Sequence, residues 1–100
     1  MNITANHIAN KRVIGKLKGK DVHELLTTGG LHIVAVSEQG KTRVLGTGPH
    51  RGVARFIAEK NEPSLIITEL SKSDALDPVT LMNEVPKYEA LTKHMQTLGV

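Results

Sequence analysis

Three features of this chain predict an α+β domain. Apolar runs of strand character over residues 11–18, 31–37, 41–45 and 64–70 are interrupted by stretches of helical spacing. Glu38-Gln39-Gly40 has the composition of a hairpin loop. Pro63 and the glycines at 29, 30, 46 and 48 punctuate the rest. The resulting order is β-α-β-β-α-β with a helical stretch after Asp77. Two β-α-β halves joined by a hairpin predict a ferredoxin-like βαββαβ sandwich, with its helices on one face of an antiparallel sheet and an added C-terminal helical segment. The alternative is another small α+β arrangement that lacks the first strand.

In chain order, residues 1–10 are polar with only Ile3 and Ile8 as anchors, and are expected to form a loosely ordered N-terminal segment. Residues 11–100 then form a single α+β domain. Residues 11–18 mix Val13, Ile14 and Leu17 with lysines, as an edge strand does, and Gly15 marks a bulge. Asp21 and Glu24 have capping-box spacing, and Val22, Leu25 and Leu26 lie at i, i+3 and i+4, so a short helix is expected up to Thr28. The unbroken run from Ile33 to Val36 predicts a central strand, and residues 41–45 return beside it. Val53, Phe56 and Ile57 give the apolar stripe of a helix from about Pro49 to Lys60. The Leu65-Ile66-Ile67 run predicts the last strand. Asp77-Pro78 is a helix start, and Pro86 predicts a break near Glu84 and Val85.

Composition narrows the function. The chain has 100 residues, a net charge of +3 and no cysteine, which removes disulfides, thiolate metal sites and cysteine nucleophiles. Phe56 and Tyr88 are its only aromatic residues of the Phe, Trp and Tyr kind, so the core must be aliphatic. No predicted strand carries one, which argues against a sheet that stacks RNA bases. No apolar run has membrane-spanning length and the start has no secretory pattern, so a cytoplasmic protein without a membrane partner is expected.

Three candidate surfaces emerge. Gly46-Thr47-Gly48-Pro49-His50-Arg51-Gly52 leads from a strand into a helix whose free amides and positive dipole end can cradle an anion. Gly48, His50, Arg51 and Arg55 are the expected anion-binding residues, although ordinary turn geometry explains the glycines equally well. Lys11, Arg12, Lys16, Lys18 and Lys20 form a basic surface, either a contact for phosphate backbone or the solvated edge of a sheet. Leu81, Tyr88, Leu91, Met95 and Leu98 form an apolar seam that suits either a homodimer interface or the chain's own core.

His7, His23, His32, His50 and His94 show no helical ligand spacing, so no metal is expected, and no cofactor or catalytic residue is assigned. The reading is a small cytoplasmic, non-enzymatic binding or regulatory module that acts through protein–protein interaction, its partner another protein or a second copy. The alternative is an anion-binding module for nucleic-acid backbone or a phosphorylated ligand at residues 48–52.

Overall fold

The computed structural model describes residues 8–69 and 76–97. Strands β1 (Ile8–Leu17), β2 (Lys20–Thr27), β3 (His32–Glu38) and β4 (Lys41–Gly48) follow one another without an intervening helix. Helix α1 (Arg51–Asn61), strand β5 (Ile66–Ile67), and helices α2 (Pro78–Asn83) and α3 (Val85–Thr97) complete the order. The five strands form one antiparallel sheet in the order β4-β3-β2-β1-β5. This is not the ferredoxin-like βαββαβ sandwich, because the four long strands come first, as a meander.

The error has one source, the expected helix over residues 21–28, which is strand β2. Lys18 and Gly19 both have positive φ, 51° and 81°. A two-residue loop of that kind matches the twist of a hairpin, so the chain turns straight back onto β1. Leu17 then pairs with Lys20, and the pairing continues to Ile8 and Thr27. Side chains of a strand alternate, so Val22 and Glu24 point to one face while His23 and Leu25 point to the other. Asp21 caps no helix. It pairs with Lys16 across the hairpin instead. The second hairpin is also tighter than expected: Glu38 pairs with Lys41, and Gln39 and Gly40 take positive φ. Of the strand expected over 64–70, residue 70 lies outside the described residues, and among those described ladder pairing is confined to Ile66 and Ile67, with the Thr68 and Glu69 amides donating to the Ile14 carbonyl.

Helices cover both faces of the sheet. On one side α1 packs Ala54 and Ala58 against Ile14, Val22, Val34, Val36 and Leu45. On the other, Met95 and Leu91 of α3 meet Ile33, Ala35 and Val44. Val53 and Ile57 of α1 join Val85 and Tyr88 of α3 in a third cluster beyond the β4 edge. Gly46 lets α1 come this close: a β-carbon there would lie 2.7 Å from the Ala58 nitrogen.

The C-terminal break falls where proline demands it. Asp77 caps α2 by accepting a 2.7 Å hydrogen bond from the Thr80 amide. Helix α2 stops at Asn83, and α3 begins at Val85 with Pro86 in its first turn, where a missing N–H costs no ladder bond. Helix α3 fastens to the edge strand through Gln96, which donates a 2.7 Å hydrogen bond to the Val44 carbonyl. Among the described residues no helix is long and apolar enough to cross a membrane.

Candidate functional site

The strongest electrostatic feature is a cluster of arginines and carboxylates between α1 and the sheet. Register puts Arg12 of β1 opposite Glu24 of β2. Helix periodicity puts Arg51 and Arg55 one turn apart above them. Arg55 holds Glu24 through Nε at 3.1 Å and Nη2 at 3.1 Å, and reaches Glu69 at 2.5 Å. Arg12 also spans both carboxylates, 3.3 Å from Glu24 and 2.7 Å from Glu69. Arg51 Nε lies 3.7 Å from Glu24. The Arg55 and Glu24 side chains are each only 6% exposed. Burial of two such charges is tolerable only because each is paired and hydrogen-bonded.

This arrangement changes the chemistry of the expected anion-binding residues. Arg51 and Arg55 face carboxylates of their own chain. Gly48 is buried against the helix, and a β-carbon there would stand 2.7 Å from Val53 Cβ and 2.8 Å from the Ala54 nitrogen. His50 takes the N-cap position in extended conformation, its side chain makes no capping hydrogen bond, and Pro49 lies before it, outside the helix. Both glycines therefore have packing reasons that require no ligand.

The basic run is split by strand alternation. Arg12 turns inward to the carboxylates, while Lys11 and Lys16 emerge on the face away from α1. Lys18 sits in the hairpin turn and Lys20 just after it. Lys16 pairs with Asp21, whose carboxyl is held below its usual range by the hydrogen bond and charge of that lysine.

The apolar seam divides too. Met95 is fully buried against the sheet, Leu91 is packed beside it, and Tyr88 joins the cluster with Val53 and Ile57. Leu98 lies outside the described residues. Leu81 is at the surface, 36% exposed. It has company that the sequence reading did not name: Val79 is 64% exposed and Met82 76%, both on α2. No residue of α2 is buried. A hint lay in the helix being cut to six residues at Pro86, too short to wrap its apolar side chains around a core.

Among the described residues no group of three or more His, Asp or Glu side chains could hold a metal ion. The molecule is thus a small antiparallel α+β domain with an internal salt-bridge cluster and an outlying apolar helix. It matches no family model, no curated protein and no solved structure.

Proposed function

We propose that the protein is a small binding module that acts through protein–protein contact, with a second copy of the chain as partner and α2 as the contact element. The observation that carries this reading is the outward display of Val79 and Met82, 64% and 76% exposed, on a helix with no buried residue. Apolar side chains held in water are unfavourable unless something covers them. Their helix is not left to fray, since Asp77 caps its start and Glu84 and Tyr88 continue the backbone bonding into α3. A two-fold axis beside α2 would let each copy cover the other, the commonest form of soluble assembly. No catalytic residue is assigned in this reading.

Sedimentation equilibrium over a range of concentrations tests it. The expected result is a reversible shift towards twice the 10.8 kDa chain mass. The shift is expected to vanish in the double variant Val79→Asp, Met82→Asp while the circular dichroism stays unchanged. A single 10.8 kDa species at every concentration would refute the dimer.

A further inference from the structure

The chain has no cysteine, so its oxidisable sulfur atoms are those of methionine. It has three methionines, of which Met1 lies outside the described residues. The other two stand at opposite extremes. Met95 of α3 is fully buried against Ile33, Ala35 and Val44, where an oxidant in water does not reach its sulfur. Met82 of α2 is 76% exposed, the most exposed large apolar side chain among the described residues. Val79, 64% exposed, lies three positions earlier and so on the same flank of the helix. The Met82 thioether therefore sits inside the apolar patch that α2 offers, and its polarity decides whether that patch stays apolar.

We infer that Met82 is an oxidation site whose sulfoxide switches off the α2 contact; the inference rests on the dimer reading given above. The oxidant is a hydroperoxide. A lone pair on Met82 Sδ attacks one peroxide oxygen, so that the S–O bond forms and the O–O bond breaks. With hydrogen peroxide, the departing hydroxide takes the proton of the transferred oxygen and leaves as water. Sulfur loses two electrons and the peroxide gains them. The product is a polar, chiral side chain where a flexible apolar one stood. The Val79 and Leu81 side chains offer its oxygen no hydrogen-bond donor, so burying the sulfoxide against a second copy is unfavourable. Linkage gives the converse: a dimer that covers Met82 shields it, and free chains are oxidised first. Sulfoxide reductases return the thioether, which makes the change reversible.

The test treats the folded protein with hydrogen peroxide, maps each methionine by mass spectrometry of its tryptic peptide, and measures self-association by sedimentation equilibrium. The sulfoxide is expected at Met82 well before Met95. The dimer dissociation constant should rise about tenfold or more, since both copies bury the oxidised group. Methionine sulfoxide reductases acting on both epimers should restore it. Met82→Leu keeps the volume and should dimerise equally well before and after peroxide. In the unsubstituted chain, Met82 oxidation should slow as protein concentration rises through the dissociation constant. Equal oxidation of Met82 and Met95, or an unchanged dissociation constant once Met82 is fully oxidised, would overturn the inference and leave the α2 contact standing. So would an oxidation rate independent of concentration, or a Met82→Leu dimer as sensitive to peroxide as the unsubstituted one. A chain that is monomeric before peroxide would refute the contact itself, and the switch with it.

Discussion

Arg55 of α1 grips Glu24 of β2 through the helix–sheet interface, its Nε and Nη2 both 3.1 Å from the same carboxylate oxygen, Oε2. The pair fixes where the helix sits on the meander. It also draws in Arg12, Arg51 and Glu69, so two strands, the segment after β5 and one helix meet in a single cluster. Removing one partner leaves the other charge buried. Glu24→Gln is therefore expected to destabilise the fold by about 3 kcal/mol. The double variant Glu24→Leu, Arg55→Met should recover much of that loss, since a buried ion pair is often replaceable by apolar side chains. Urea unfolding midpoints of the two variants check this, and a neutral Glu24→Gln would contradict it.

Close approach of α1 to β4 makes a second demand. The methyl group of Gly46→Ala has nowhere to go, because backbone of Ala54 and Ala58 occupies the space. The helix must lift off the sheet, at an expected cost of about 1–3 kcal/mol. Thermal unfolding reads it directly, and Gly40→Ala is not an equivalent comparison because that residue has positive φ.

Two buried hydroxyls join α3 to the same strand. Thr47 and Thr92 are fully buried, 3.0 Å apart, and each donates to the Tyr88 carbonyl, at 3.1 and 2.7 Å. Thr92→Val keeps the volume and removes the Thr92 bond to the Tyr88 carbonyl and its contact with the Thr47 hydroxyl, while Thr47 keeps its own bond to Tyr88. The expected loss is about 1 kcal/mol, read from the guanidinium unfolding midpoint.

Helix α2 should respond to acid through its N-cap. The Asp77 carboxyl is held below its usual range by the hydrogen bond from the Thr80 amide. A group with a depressed folded value lends stability above its unfolded value, and that stability is lost as pH falls through the folded one. Amide chemical shifts of Thr80 and Leu81 should therefore move towards unstructured values below about pH 4, where aspartate begins to protonate. In Asp77→Asn, which also caps, that pH step should disappear while the helix remains.

The strands of the second hairpin were legible in the sequence because the run from Ile33 to Val36 and the Gln39-Gly40 turn permit little else. The same holds for α1 and for the break ahead of Pro86. Strand β2 was not legible. Val22, Leu25 and Leu26 satisfy helical spacing, and they also fit a strand whose two faces are both partly covered. What decides between them is the Lys18-Gly19 turn, whose positive φ values have no certain mark in a lysine. That one misreading moved Glu24 from an imagined helix cap to the centre of the buried cluster. Arg51 and Arg55 then acquired carboxylate neighbours that no local pattern announces, because Glu24 and Arg55 are 31 residues apart. The exposed apolar side chains of α2 were hidden for a similar reason: which flank of a helix stays uncovered depends on how the elements pack.

The dimer proposed above requires α2 to meet α2 of a second copy. Mixing a sample carrying carbon-13 methyl groups with unlabelled protein, and recording nuclear Overhauser effects filtered for contacts between different molecules, tests it most directly. Such contacts are expected from the methyl groups of Val79, Leu81 and Met82. Their absence at millimolar concentration, or their appearance only from other surfaces, would contradict it.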